Sequence, residues 1–222
     1  MINRGGFRIE KKFLSDNELT SSIDFALSCY DVKTRTHEEG SKYGNIDWFQ
    51  VPIEKKDIAF TKFLSKFNLF VDDITLSVVY YLEPGAKIHA HRDLTGASIN
   101  NRIRFHIPLI TNKNVEFYVG KDKIHMKPGE LWILDTSYKH SVFNGGDHSR
   151  AHIVFECRIN EEIKKYLFND YKAKLHTFNF AIWGMLKFSE SLLVNIYKDP
   201  KYFVKQMRMV FRFIVLKISG KY

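Results

Sequence analysis

Three residues, His91, Asp93 and His140, are of the types and at the spacing that could hold a transition metal. Along an extended segment side chains i and i+2 share a face, so His91 and Asp93 can aim an imidazole nitrogen and a carboxylate oxygen at one point. His140 follows Asp93 by 47 residues, just after the run ELWILD and its loop, where a second strand could deliver the third ligand. Two neutral imidazoles and one carboxylate on one face of an octahedron leave three positions open, the arrangement of non-haem iron(II) oxygenases. A 2-oxo acid could chelate through two of them and dioxygen could take the third. An HxD pair alone is weak, because chance produces many. Arg150 strengthens it. It stands ten residues beyond His140, at the start of RAHIVFECRI. A 2-oxoglutarate site needs a fixed cation at its far end for the distal carboxylate, and a forked guanidinium suits that task.

These residues need a rigid scaffold, and the pattern supplies one. From residue 74 the chain reads ITLSVVYYL, KIHAH, RIRFHIPLI, VEFYVG, KIHM, ELWILD, SVFN and RAHIVFECRI, each rich in β-branched or aromatic residues. Turn signals separate them, among them Pro84-Gly85, Pro128-Gly129 and Asn144-Gly145-Gly146. Eight strands within residues 74–158, with no long helical pattern between them, imply a mainly β fold: a jelly roll, or cupin-like double-stranded β-helix. Helices flank it. Ser15 or Asp16 can cap a helix over ELTSSIDFALSCY, and EKKDIAFTKFLSKF carries apolar residues at near-helical spacing. After Arg158 helical patterns return in EEIKKYLFNDYKAKL, TFNFAIWGMLKFSESLLVNIY and KYFVKQMRMVFRFIVLKI. The expected organisation is a β domain with N-terminal helices over 1–159 and a helical extension over 160–222.

Composition is that of an ordinary globular chain, 45% apolar and 27% charged over 222 residues. The two cysteines, Cys29 and Cys157, lie outside any metal-type spacing and read as buried thiols in a reducing compartment. No apolar run is long enough to span a bilayer and no secretory signal is visible, so the expected location is cytoplasmic. Net charge is +9, of which the extension carries +7, from 12 Lys and Arg against 5 Asp and Glu. That charge lies among long apolar residues and no nucleic-acid module accompanies it, which argues against nucleic acid as partner. Three uses of the extension stay open: peripheral contact with the inner membrane face through 199–218, a homodimer interface, or a cap on the β core.

The stretches YYLEPGAKIHAHRD, NRIRFHIPLI and GELWILDTSYKHSVFNGGDHSRAHIVF resemble the aspartyl/asparaginyl β-hydroxylase family over residues 74–158. The family pattern falls on Pro84 and Gly85, His91, Arg104 and His106 with Pro108, Gly129 and Glu130, His140, and Arg150. The resemblance implies a double-stranded β-helix, Fe(II), 2-oxoglutarate and O2, and a hydroxylation that releases succinate and carbon dioxide. It also implies that Arg104 and His106 contact carboxylate oxygens. The alternative for Arg104 is an internal ion pair to a residue such as Glu116. Retention of Asp93 resembles the bacterial branch that acts on proline and other amino acids. Tyr80 stands where some relatives carry Ser, and its hydroxyl could reach the co-substrate.

Other residues are weighed the same way. His152, two residues from Arg150, could touch co-substrate or substrate, and His89 lines the mouth or is simply exposed. Arg92 and Arg102 could flank the mouth. His125 and His148 read as solvated, and Trp132 and Phe155 as core. Substrates consistent with the pattern are a small amino-acid-like compound, an aspartyl or asparaginyl side chain, or a lipid-linked or envelope-glycan molecule. A metal-binding cupin that acts as an isomerase or binds sugar without 2-oxoglutarate is the alternative class.

Overall fold

The computed structural model describes residues 4–35, 44–45, 47–53, 57–93, 101–198, 200–201 and 204. Strands β1 (Gly6–Glu10), β2 (Thr34–Arg35), β3 (Gly44–Asn45) and β4 (Trp48–Pro52) precede the eight that the sequence pattern marks. Those eight are β5 (Ile74–Leu82), β6 (Lys87–His91), β7 (Arg102–Ile110), β8 (Val115–Val119), β9 (Asp122–Ile124), β10 (Leu131–Leu134), β11 (His140–Asn144) and β12 (Arg150–Arg158). They form two antiparallel sheets, ordered β1-β10-β7-β12-β5-β4-β2 and β3-β6-β11-β8-β9. The alternation of β5 to β12 between the sheets is that of a double-stranded β-helix.

Strand alternation divides each central strand between two jobs. On β7, Ile103, Phe105, Ile107 and Leu109 join a core with Phe60, Phe63 and Phe67 of helix α2 (Ile58–Phe67) and Ala26 of helix α1 (Asp16–Ser28). Arg104 and His106 therefore point to the opposite face, between the sheets. On β12, Ala151, Ile153, Phe155 and Cys157 join the helix-side core, which sends Arg150, His152, Val154 and Glu156 inward. A second apolar cluster fills the rest of the space between the sheets, with Leu82, Ile88, Val115, Phe117, Val119, Trp132, Leu134 and Val142.

Phe63 is the keystone of the helix-side core. It is 0% exposed and its ring centroid lies 4.5 Å from Phe155, 4.9 Å from Phe105 and 5.0 Å from Phe67. Phe63→Ala is expected to cost about 3–5 kcal/mol of unfolding free energy, read by urea denaturation. A loss below about 1 kcal/mol would show that the helix does not seal the sheet.

Local chemistry explains the helix boundaries. Ser15 and Glu18 form a reciprocal capping box at the start of α1. The Asp57 carboxylate accepts from the Ala59 N–H at 2.8 Å and starts α2, which ends at Asn68 in the left-handed region, φ 49°. The helix expected over 161–175 is interrupted. Asn160 caps only a short helix, α3 (Glu161–Lys164), and Asp170 then accepts from the Ala173 N–H in the first turn of α4 (Tyr171–Lys198). Between them Phe168 meets the Phe7 ring at 5.2 Å and the Arg4 guanidinium at 4.7 Å, contacts no sequence period reveals. α4 then runs through the second expected helix.

The chain divides into two compact units, Met1–Ala173 and Lys174–Tyr222. The third expected helix, over 201–218, lies almost wholly outside the described residues. Among the described residues no helix is long and apolar enough to cross a membrane. Cys29 and Cys157 are unpaired thiols.

Candidate active site

His91 ends β6 and His140 begins β11, and the two pair directly across the sheet with ring centroids 4.4 Å apart. Asp93 follows β6 by two residues, and its backbone N–H donates to Thr136 O at 2.9 Å, tying its loop to the one that leads into β11. Ligand atoms of the three side chains lie within 4.8 Å of one another. The His91 ring donates from Nδ1 to His89 O at 2.7 Å, and the His140 ring from Nδ1 to Tyr138 O at 3.0 Å. A carbonyl only accepts, so in the neutral form each ring keeps its proton on Nδ1 and offers the Nε2 lone pair to a metal. His91 Nε2 and Asp93 Oδ1 are 3.5 Å apart. This donor set, with both imidazoles oriented, fits an iron ion.

Electrostatics prepares the set. Burial works against the Asp93 charge, but the His91 hydrogen bond and the Arg104 guanidinium outweigh it and hold the carboxyl down to about 2. Burial, then the neighbouring His91, pushes His140 down to about 4, so that ring is neutral at physiological pH. His91 moves the other way. Burial opposes its protonation, but the Asp93 carboxylate and the His89 carbonyl raise it above 6.5. A metal must therefore displace one proton, from His91, as pH falls through that raised value. Apparent metal affinity is expected to be level in the alkaline range and to drop about tenfold per pH unit on the acid side. Chelator competition at a series of pH values checks this; a slope of two protons, or none, near neutrality would contradict it.

At the other end of the same inner face stand Arg150 and His152 of β12 and His106 of β7, 4%, 1% and 8% exposed. Arg150 donates from Nη2 to His152 Nδ1 at 2.9 Å, and its guanidinium carbon lies 5.5 Å from the centre of the Phe117 ring. Arg150 Nε, His152 Nε2 and His106 Nδ1 are buried without a hydrogen-bond partner. Burial lowers Arg150 to about 9, leaving it a cation at neutral pH, while burial and the Arg150 charge hold both histidines well below 6.5. An uncompensated cation in an apolar interior is costly, and an anion would satisfy it.

The turn behind Arg150 is braced by buried Asn144. Its amide donates to Leu82 O at 2.8 Å and His148 O at 2.9 Å, and its carbonyl accepts from Gly146 N and from Asn112 Nδ2.

Arg104 has partners other than Glu116. Its Nη1 lies 3.0 Å from Asp93 Oδ2 and its Nη2 3.0 Å from Glu156 Oε2, whereas Glu116 pairs with Lys123 at 2.8 Å. Glu156 went unnoticed in the sequence, although an acid six residues after Arg150 on the inward face of an apolar strand is a readable signal. It also faces Arg102 at 3.9 Å and accepts from Thr75 at 3.2 Å. Tyr80, in register with His152, is half-buried and its ring meets that of Trp48 at a tilt, centroids 5.0 Å apart; burial raises its pKa.

The remaining assignments follow burial. Trp132 lies between the sheets and donates to Glu130 at 2.8 Å, and Phe155 packs under α2. Arg92 donates to Ser137 O at 2.9 Å. His89, His125 and His148 are exposed.

A jelly roll with two imidazoles and one carboxylate at its rim, and a buried arginine farther along the same interior, is an arrangement suited to a metal-dependent enzyme. Residues 23–159 match the family model described as aspartyl/asparaginyl beta-hydroxylase, more than half of the chain, and the chain belongs to that family. It is an enzyme, a hydroxylase, with a cluster at His91, Asp93 and His140 that can bind iron. Comparison with curated proteins gives no match.

Solved structures share the fold. A Pseudomonas putida prolyl-4-hydroxylase has a TM-score of 0.53 at 10% identity, covering 71% of this chain and 94% of its own. The viral collagen prolyl hydroxylase of Paramecium bursaria Chlorella virus-1, solved as a 2OG complex, has a TM-score of 0.52 at 15% identity, covering 71% and 98%. A Trichoplax adhaerens prolyl hydroxylase, solved with a peptide of hypoxia inducible factor, has a TM-score of 0.52 at 15% identity, covering 73% and 87%.

Proposed function

We propose that His91, Asp93 and His140 hold Fe(II) and that Arg150, with Arg104, His106 and Tyr80, receives 2-oxoglutarate. The substrate in this reading is a small amino-acid-like compound or an aspartyl or asparaginyl side chain, hydroxylated at an unactivated C–H bond. Iron, when bound, supplies the oxidising chemistry that divides O2 between the co-substrate, released as succinate and carbon dioxide, and the hydroxylated carbon.

The protein's share is placement and exclusion of water. Asp93 and the two imidazoles would hold the metal, and no other side chain of the cluster would compete with the co-substrate for it. Arg104 holds Asp93 Oδ2, which leaves Oδ1 as the oxygen nearest the His91 Nε2. Arg150 fixes the distal carboxylate and so sets how the 2-oxo acid end meets the metal.

The observation that carries this reading is the buried Arg150, which among the described residues has no acidic partner and leaves its Nε without a hydrogen bond. A module that binds a neutral sugar has no use for a buried cation so placed. Anaerobic titration of the Fe(II)-loaded protein with 2-oxoglutarate tests it. A saturable visible charge-transfer band is expected, together with succinate release when oxygen and a turned-over amino acid are supplied. Absence of the band at millimolar 2-oxoglutarate would rule the reading out.

A further inference from the structure

His152 is 1% exposed and lies on the inner face of β12, opposite Tyr80 of β5. Its Nδ1 is 2.9 Å from Arg150 Nη2. A guanidinium nitrogen offers hydrogens and no lone pair, so Arg150 donates and Nδ1 accepts. An accepting Nδ1 bears no proton, and the neutral ring must then carry its proton on Nε2. That Nε2 is buried with no hydrogen-bond partner among the described residues. The neighbouring His106 ring, at 5.8 Å, meets it edge to face rather than through a nitrogen pair. A buried N–H left unpaired costs about as much as a lost hydrogen bond, and native interiors seldom leave one so.

We propose that His152 is a further co-substrate-binding residue: Arg150 fixes its tautomer, and its Nε2–H donates to an acceptor oxygen of the bound dicarboxylate. This rests on the reading of the site as one for 2-oxoglutarate. Arg150 then acts twice, once by its own charge and once by dictating which nitrogen of its neighbour is a donor. Neutral His152 is also the form that serves, since a second buried cation beside Arg150 would be repelled. Burial and the Arg150 charge keep the ring in that form.

Two substitutions separate binding from mere support. His152→Gln places an amide nitrogen near the Nε2 position and supplies a donor there. His152→Asn places an amide oxygen near Nδ1 and supplies only the acceptor for Arg150. The readout is the dissociation constant for 2-oxoglutarate, measured by anaerobic titration of each Fe(II)-loaded variant, with metal affinity and thermal midpoint as controls. The Gln variant is expected to stay within about threefold of the parent and the Asn variant to weaken about tenfold or more. An Asn variant that binds as well as the Gln variant, or better, overturns the proposal and leaves His152 as a brace for Arg150.

Imidazole 15N resonances of the Zn(II)-loaded parent give a measurement free of mutation. The His152 Nε2 proton is expected to shift on adding 2-oxoglutarate while Nδ1 stays unprotonated; no shift at saturation also overturns it. A parent protein that never saturates with 2-oxoglutarate fails the functional reading itself, whereas a saturable parent with equal variants fails His152 alone.

Discussion

The His140→Ala variant is expected to lose turnover by about a thousandfold or more, with metal affinity falling in parallel. Losing an outer hydrogen-bonding partner of a metal ligand already costs roughly 10–100-fold, and losing the ligand itself removes a metal bond and leaves two donors. His140 is well suited to this test because burial keeps it neutral, down to about 4, and the Tyr138 carbonyl directs its Nε2 toward Asp93 and His91. Its removal leaves both hydrophobic clusters intact, since neither contains it. Metal affinity is measured by anaerobic Fe(II) titration against a chelator, turnover by succinate release, and folding by thermal denaturation of the metal-free protein. A variant that folds, binds iron like the parent and turns over would mean that the cluster is not the metal site.

Arg150→Leu should separate co-substrate binding from metal binding. Truncating one partner of a buried, hydrogen-bonded charge pair costs about 2–5 kcal/mol, so the KM for 2-oxoglutarate is expected to rise roughly 30-fold to several thousandfold. Iron affinity should hardly change, because Arg150 takes no part in the hydrogen bonds around His91, Asp93 and His140. The ligand-free protein should gain stability or stay level, since a buried cation without an acidic partner among the described residues is replaced by an apolar side chain. These two signs together are distinctive: a Tm that holds or rises without ligand, and a thermal shift on adding 2-oxoglutarate that disappears. A large fall in ligand-free Tm would instead make Arg150 a structural residue held by a partner.

Strand periodicity made the central fold legible. β5, β7 and β12 are runs rich in β-branched and aromatic residues bounded by turn signals, with clean alternation in β7, and expected and observed strands agree within a residue. Strands β1 to β4 were not legible, for separate reasons. β2 and β3 are two residues each, β4 ends in Pro52, and β1 mixes Gly6 with charged Arg8 and Glu10; all depend on pairing to a neighbouring strand. The break before α4 arises from Phe168 and Asp170 meeting Arg4 and Phe7, a long-range event with no local signature.

At the site, the approach of His91, Asp93 and His140 could be inferred from i, i+2 spacing and a downstream strand. The company of Arg104 could not. Its choice of Asp93 and Glu156 over Glu116 is decided by register, because Arg104 faces Glu156 across β7 and β12. Likewise, spacing put His152 on the Arg150 face, but only the observed bond reveals which ring nitrogen is free.

The division of labour along β7 and β12 has a genetic corollary. One inserted or deleted codon within either strand would exchange its two faces, turning Phe105 or Phe155 toward the metal and driving Arg104, Glu156 or Arg150 into the helix-packed core. Foldability and chemistry are written in the same reading frame there, so length changes should accumulate in the turns, while side-chain exchange alone can retune the pocket.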